Sequence, residues 1–184
     1  MTPTQIKNQI QIKRAGFSDA SVISLLGKET FTETFGDLFG TAELSEYLDK
    51  TFNISKLQTS LLKEENIFGI LYYLGHPVGY YKIKLGEHFD YSADTDCVQL
   101  QKIYVLRNYL HLKLGKEMMS DILNLNELKT CKMIWLVVLH TNFRAIRFYE
   151  HRGFEKLRKY HHQIGSRQLE YELMTKGFPV GSIP

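Results

Sequence analysis

The sequence has few cysteines, prolines and tryptophans: two, four and one among 184 residues. Cys97 and Cys131 could form at most one disulfide, and neither lies in a CxxC pair or in a Cys/His spacing that suits zinc. We therefore exclude a disulfide-rich scaffold and a zinc module. Both cysteines are expected to be reduced and structural, and no metal site is expected.

Long apolar runs are also missing. The longest covers seven residues, Met133 to Leu139, whereas a membrane-spanning helix needs roughly 20. The first 16 residues alternate polar and apolar positions and lack the apolar segment of a secretory signal. We therefore expect a cytoplasmic protein that starts at its mature N-terminus and has no membrane partner.

The charge is small overall but unevenly distributed. The net charge of +3 is too low to indicate a nucleic-acid partner. Residues 29–101 carry 12 acidic and 5 basic side chains, a net of −7, whereas residues 102–159 carry 12 basic and 5 acidic side chains, a net of +7. These regions could hold a cationic and an anionic ligand, or they could be two solvated surfaces.

Length and composition predict a single domain over residues 1–176, and the residues of GFPVGSIP predict a C-terminal tail at 177–184. The predicted order is βαααβββαβαββ. The elements are a strand at Gln9–Arg14, a helix capped by Ser18, two short helices within Ala42–Glu65, strands at Ile67–Leu74, Val78–Leu85 and Cys97–Leu106, a helix at Lys113–Leu128, a strand at Met133–Leu139, a helix at Asn142–His151, and strands near Phe154–Tyr160 and Gln168–Met174. Gly75-His76-Pro77 is predicted to be a hairpin turn.

The segment from Ile103 to Met119 is predicted to run from a strand through a tight loop into a helix. That helix begins with Lys113, Gly115 and Lys116. A helix N-terminus has unpaired N–H donors and a positive dipole end, so with two lysines it forms a plausible cradle for phosphate or pyrophosphate. By itself this signal is weak.

A second motif lies in the segment Thr141–Phe154, TNFRAIRFYEHRGF. Its pattern resembles the N-x-x-A-x-x-F-Y-x-x-x-G-F signature of the GNAT superfamily of N-acetyltransferases. The matching residues are Asn142, Ala145, Phe148, Tyr149, Gly153 and Phe154. The preceding strand-loop-helix segment lies at the distance of that family's acetyl-coenzyme A loop, and the order of elements matches from about residue 9 to 175.

The resemblance implies an α/β (α+β) GNAT acyl-CoA N-acyltransferase fold. This fold has a mixed central sheet of about seven strands, helices on both faces, and a splay between strands 4 and 5 where acetyl-CoA binds. The pantetheine would pair with the strand, and the loop N–H groups would face the pyrophosphate. The implied cofactor-binding residues are Ile103, Tyr104, Val105, Leu110, His111, Leu112, Lys113, Leu114, Gly115, Lys116 and Asn142.

The loop departs from the family pattern, Gln or Arg, two residues, Gly, one residue, then Gly or Ala. The corresponding residues are Leu110, Lys113 and Gly115, so the first glycine is replaced by lysine. We expect acetyl-CoA binding to survive this change. The Lys113 N–H can still donate, and a residue at a helix start needs no left-handed backbone.

Acetyl transfer needs a neutral amine, and deprotonating a lysine-like amine at pH 7 costs roughly 4 to 5 kcal/mol. The strand positions where family enzymes often place a glutamate are Gln99 and Gln101, which cannot accept a proton. Glu33 is the first candidate base, since it lies four residues from Glu29 on one helix face; an exposed acidic face is an equally good explanation. Tyr149 is the candidate general acid for the leaving thiolate.

The acceptor is predicted from a shorter similarity. Glu29–Gly36, ETFTETFG, resembles the first helix of bacterial polyamine acetyltransferases, which with the acidic region favours a small cationic amine such as spermidine or spermine. A protein or peptide amine is the alternative acceptor. A non-catalytic acetyl-CoA-binding sensor or partner-binding module is the alternative function, and a homodimer is possible.

Overall fold

Strands and helices follow the apolar periodicity in the order that the sequence predicts. The computed structural model describes Ile6 and residues 9–89, 97–164 and 167–178. Its strands are β1 (Ile10–Arg14), β2 (Asn66–Tyr73), β3 (His76–Leu85), β4 (Cys97–Val105), β5 (Met133–Leu139), β6 (Glu155–Ile164) and β7 (Arg167–Gly177). Its α-helices are α1 (Ala20–Phe35), α2 (Thr41–Thr51), α3 (Ile54–Leu61), α4 (Gly115–Leu123) and α5 (Phe143–Glu150). The 3₁₀ segments are Phe17–Asp19, Gly36–Leu38, Arg107–Leu112 and Asn126–Leu128.

The strands form one mixed seven-stranded sheet in the order β1-β2-β3-β4-β5-β7-β6. The β1/β2, β5/β7 and β6/β7 pairs are antiparallel, whereas β4 and β5 are parallel. A parallel pair needs a crossover connection, and the segment that contains α4 supplies it. The predicted mixed α/β sheet is therefore confirmed.

Contacts divide the chain into two compact units. The first contains the described residues up to Ile83 together with Lys102–Leu125, and the second contains Lys84–Gln101 and the described residues from Asn126 onward. The single domain over residues 1–176 stays a prediction. Each described helix is too short or too polar to span a bilayer.

The core of the first unit is rich in aromatic rings. Phe31 of α1 is buried, and its ring lies 4.7 Å from that of Phe35 and 4.6 Å from that of Tyr47 on α2. Strand β2 is buried at seven of its eight positions, so both of its faces are covered. Burial on this scale, at about 25 cal/mol per Å² of apolar surface, stabilises α1 and α2 against the sheet.

The β2–β3 turn is shorter than predicted. Leu74 and Gly75 connect the strands with φ angles of 52° and 80°. Two consecutive positive φ angles match the right-handed twist of paired strands. His76 and Pro77 therefore belong to β3 and not to the predicted turn.

The second unit is built around β5, whose apolar run is buried on both faces at Ile134, Trp135 and Leu136. Trp135 packs with Cys97 and Leu173 in a buried cluster. The indole N–H of Trp135 donates to a backbone carbonyl at 2.7 Å, that of Glu87. This bond satisfies the one polar atom of a buried indole.

Three predicted boundaries were wrong. Ser18 lies inside a 3₁₀ turn, α1 begins at Ala20, and the Asp19 carboxylate accepts the Gly16 N–H at 2.8 Å. Helix α4 covers Gly115–Leu123 and not Lys113–Leu128, because separate turns precede and follow it. Strand β7 continues through Gly177, the first residue of the predicted tail; residues 179–184 lie outside the described part.

Candidate active site

The end of β4 carries the three strand residues that the resemblance assigns to the cofactor, 103–105. Strand β3 approaches this segment very closely. A Cβ atom added at Gly79 would lie 2.6 Å from the carbonyl oxygen of Tyr104, a distance that backbone atoms do not tolerate. Glycine therefore allows β3 to pack directly against the backbone of the predicted cofactor strand.

The parallel ladder between β4 and β5 joins Cys97 to Met133, Val98 to Ile134 and Gln99 to Trp135. Both strands continue beyond these pairs, β4 to Val105 and β5 to Leu139. Residues 103–105 therefore follow the segment of β4 that pairs with β5.

The predicted cofactor loop is a 3₁₀ segment, Arg107–Leu112, followed by a tight turn into α4. Leu114 anchors the start of the helix because its side chain is buried. The hydroxyl of Tyr81 on β3 donates to the Asp121 carboxylate on α4 at 2.9 Å. The buried leucine holds the start of α4, and this hydrogen bond holds its C-terminal half against the sheet.

Lys113 adopts a left-handed backbone, with φ of 57°. The expectation that this position needs no such conformation was wrong. Lys113 ends the 3₁₀ segment and its N–H donates to the Leu110 carbonyl at 3.2 Å, while its own carbonyl accepts the Lys116 N–H at 3.0 Å. The chain therefore keeps the backbone that favours glycine, although a lysine occupies the position.

Replacing Lys113 with glycine is expected to raise the free energy of unfolding by about 0.5–1 kcal/mol. Removing Cβ relieves about 1–2 kcal/mol of left-handed strain, and the larger freedom of glycine in the unfolded chain cancels about half of that gain. Urea unfolding measures the change. Lys116→Gly, inside α4, is the control and should be destabilising; a less stable Lys113→Gly would contradict the strain argument.

Two positively charged lysines and a histidine lie near the start of α4. His111, Lys113 and Lys116 are exposed, and the N–H groups of Leu114 and Gly115 precede the first turn of the helix. In the described part of the chain neither N–H has a backbone acceptor outside the helix. These two donors and the dipole of α4 can therefore bind a phosphate oxygen.

Glu33 on α1 lies against the beginning of this loop. Its carboxylate accepts the backbone N–H of Arg107 at 2.9 Å, and the Arg107 guanidinium donates to the Glu33 carbonyl. The structure thus brings the candidate base and the predicted cofactor loop together. No local pattern links two residues 74 positions apart, so the sequence analysis missed Arg107.

The two β4 positions at which family enzymes often have a glutamate hold glutamines, and these glutamines hydrogen-bond to each other. The Gln101 amide donates to the Gln99 side-chain oxygen at 2.8 Å. Neither group can accept a proton from a substrate amine.

Asn142 and Tyr149 lie in the second unit, at opposite ends of α5. The Asn142 side-chain oxygen accepts the Ala145 N–H at 3.1 Å, and so caps the helix. Its predicted contact with the cofactor stays a prediction. Tyr149 follows seven residues later, about 10 Å along the helix axis.

Tyr149 is 8% exposed and packs edge-on against the rings of Phe148 and Phe154. Burial raises the pKa of its phenol well above the ordinary value, and the nearby Arg152 guanidinium opposes this rise only in part. The hydroxyl therefore stays protonated at neutral pH and can donate a hydrogen bond or a proton.

The described residues contain no group of three or more His, Cys, Asp or Glu side chains that could hold a metal ion.

The sequence model of the acetyltransferase (GNAT) family matches residues 28–154. The chain belongs to this family. The matched segment contains every candidate residue described above, and it confirms the resemblance inferred from the Asn142–Phe154 motif. The protein is therefore a GNAT acetyl-CoA-dependent N-acetyltransferase.

Two N-acetyltransferases with similar sequences differ in how much of the chain they match. An uncharacterized N-acetyltransferase encoded in the pepI 3′ region of Lactobacillus delbrueckii subsp. lactis is 24% identical over 165 residues, which cover 89% of this chain and 95% of that protein. The spermine/spermidine N(1)-acetyltransferase of Bacillus subtilis is 34% identical over 86 residues, which cover 46% of this chain and 57% of that protein.

The solved structure of the PaiA N-acetyltransferase from Thermoplasma acidophilum, in complex with coenzyme A, is similar with a TM-score of 0.74. The two sequences are 17% identical, and the match covers 92% of this chain and 99% of that chain. This likeness confirms the predicted GNAT fold.

Proposed function

We propose that this GNAT enzyme transfers the acetyl group of acetyl-CoA to a small cationic amine of the polyamine class. The observation that carries the acceptor class is the 34% identity to a spermine/spermidine acetyltransferase over 86 residues. Carboxylates on and between α1 and α2 support it. Glu29, Asp37 and Glu46 are exposed in this segment of the first unit, where they attract a polycation.

The residues of the loop suit the diphosphate of a coenzyme A carrier. The N–H groups of Leu114 and Gly115 would donate to phosphate oxygens, while Lys113 and Lys116 would add positive charge. The backbone of residues 103–105, beyond the β4–β5 ladder, would pair with the pantetheine amides. When bound, acetyl-CoA supplies a thioester that is activated for attack by an amine.

The chemical step needs a proton acceptor and a donor. The amine nitrogen forms a bond to the thioester carbonyl carbon, the carbon–sulfur bond breaks, and the amine loses a proton. We assign the acceptance of that proton to the Glu33 carboxylate. We assign to the Tyr149 hydroxyl the donation that stabilises the departing thiolate.

A thiol-release assay with matched amines tests the acceptor class. We expect kcat/KM for spermidine to exceed that for hexylamine by about tenfold or more, because each additional ammonium gains up to ~1 kcal/mol from surface carboxylates. The preference should shrink at 0.5 M salt, where such attractions are screened. A peptide amino terminus that reacts faster than spermidine would contradict the proposal and favour the peptide alternative.

The Gln99–Gln101 pair leaves both strand positions without a carboxylate, so the assay needs a binding control. Acetyl-CoA binding by calorimetry without thiol release across the amine panel would contradict the proposal.

A further inference from the structure

A cavity of about 190 Å³ lies within the first unit, among helices α1 to α3 and strands β2 to β4. At ~30 Å³ for each water molecule, it has room for about six waters. This is less than the roughly 300–1,000 Å³ of a typical drug-sized site. The cavity therefore suits a small molecule of about ten heavy atoms at most.

The walls of the cavity are largely apolar. Phe52, Leu57 and Phe68 line it, and all three side chains are buried. A ligand here would place an apolar body against two aromatic rings.

The charged lining is cationic. Lys56 of α3, Lys82 of β3 and Lys102 of β4 contribute to it, and none of the described lining residues is Asp or Glu. The Lys82 ammonium lies 5.3 Å from the centre of the Phe68 ring, and that of Lys102 lies 5.3 Å from the centre of the Phe52 ring. Three lysines exclude a polyamine from this cavity and select an anion.

Lys102 lacks a counter-ion among the described residues. Within residues 9–89, 97–164 and 167–178, no carboxylate forms an ion pair with it. Burial, together with repulsion from Lys56, lowers the pKa of Lys102 to about 8. By surface area the Lys102 residue is half-buried. An ammonium that is largely removed from water is normally paired, because desolvation without a partner is costly.

Tyr80 adds a donor to the same cavity. It is 1% exposed, and its hydroxyl makes no hydrogen bond of standard geometry. Burial raises the pKa of this phenol well above its ordinary value, and a hydrogen-bonding contact with the Thr30 hydroxyl opposes part of the rise. The hydroxyl therefore remains protonated, and a well-formed hydrogen bond to a ligand would stabilise it.

We propose that this cavity is a binding site for a small organic carboxylate, whose oxygens accept from the Lys102 ammonium and the Tyr80 hydroxyl and whose apolar body lies between Phe52 and Phe68. Inorganic phosphate fits less well, since it has no apolar body to contact the two aromatic rings. The site is independent of which amine the enzyme acetylates.

Calorimetric titration of the full chain with benzoate and its neutral isostere benzamide tests the proposal. Benzoate is expected to bind at least about tenfold more tightly, because a charge-assisted hydrogen bond is roughly twice as strong as a neutral one. Lys102→Met should weaken benzoate about tenfold and leave benzamide unchanged. Lys63→Met, an exposed lysine beyond α3, is the matched control and should not alter either titration.

Tyr80→Phe provides a second variant that keeps the aromatic volume and removes the donor. It should weaken benzoate several-fold, on the order of one neutral hydrogen bond. Circular dichroism establishes that each variant is folded. The proposal would be overturned if benzoate and benzamide bind equally well or if neither binds. It would also be overturned if folded Lys102→Met binds benzoate with unchanged affinity.

The pH dependence gives an independent readout. Lys102 loses its proton above about pH 8 in the free protein, and a bound carboxylate would retain it, so affinity should fall about tenfold between pH 7 and pH 9. The other titratable groups facing Lys102 across the cavity are Lys56, Lys82 and Tyr80. In Lys102→Met this pH dependence should disappear; its persistence would assign the proton uptake to another group.

Discussion

Replacing Tyr149 with phenylalanine is expected to lower kcat about a hundredfold, the typical cost of removing one donor from a developing anion. The ring contacts with Phe148 and Phe154 persist, because phenylalanine has the same ring. The KM for acetyl-CoA should stay within about threefold of the original value, since the lost interaction forms only in the transition state. Thiol release at saturating amine measures kcat.

The raised pKa of Tyr149 determines how this donor works. A coenzyme A thiol is a stronger acid than a buried phenol, with a pKa of ~8.5 for a comparable thiol. Full proton transfer from the Tyr149 phenol to the thiolate is thus thermodynamically unfavourable, and donation of a hydrogen bond is favoured. Since the phenol loses its proton only above its raised pKa, the ratio of wild-type to Tyr149→Phe kcat should remain constant from about pH 7 to pH 9.

Tyr72→Phe is the matched control. Tyr72 lies on β2, and the Lys13 ammonium lies over its ring, so loss of its hydroxyl should not alter kcat. A Tyr149→Phe enzyme that keeps more than about a third of its kcat would remove Tyr149 from the chemical step.

Two substitutions of Glu33 should separate its two proposed roles, which are to hold the loop through the Arg107 N–H and to accept the proton of the amine. Glu33→Ala removes the acceptor for the Arg107 N–H and should raise the KM for acetyl-CoA about tenfold, the effect of losing ~1.4 kcal/mol. Glu33→Gln should keep KM near its original value, because the amide oxygen still accepts this bond. If Glu33 is the base, both variants should lose about a hundredfold in kcat at pH 7.

Alkaline pH provides a signature that a purely structural role would not produce. Raising the pH from about 7 to 9 increases the neutral amine about a hundredfold, so a variant without its base should recover much of its rate. Glu65→Gln, an exposed carboxylate before β2, is the control. An unchanged kcat in Glu33→Gln would show that Glu33 only holds the loop.

The sequence predicted the order of all twelve helices and strands named above. Strand β5 illustrates why, since seven consecutive apolar residues are expected only of a strand covered on both faces. The boundaries were less predictable. Whether a residue such as Ser18 or Lys113 caps, ends or precedes a helix depends on hydrogen bonds that the residue type does not specify.

The Tyr149 region could be predicted because its signature spans 13 consecutive residues, 142–154, most of which belong to one short helix and its N-cap. The left-handed backbone of Lys113 could not be predicted, because lysine does not favour that conformation. The conformation follows from the requirement to join the 3₁₀ segment to α4 while Leu114 stays buried.

By itself the sequence determined the family, the strand and helix order, and the helix that carries Tyr149, since each depends on residues close together along the chain. Only the tertiary structure decided that Glu33 holds Arg107 and that Lys102 and Tyr80 share a cavity with Lys56. These residues come from separate helices and strands. Their contacts arise from how buried faces pack, which no local pattern of residue types specifies.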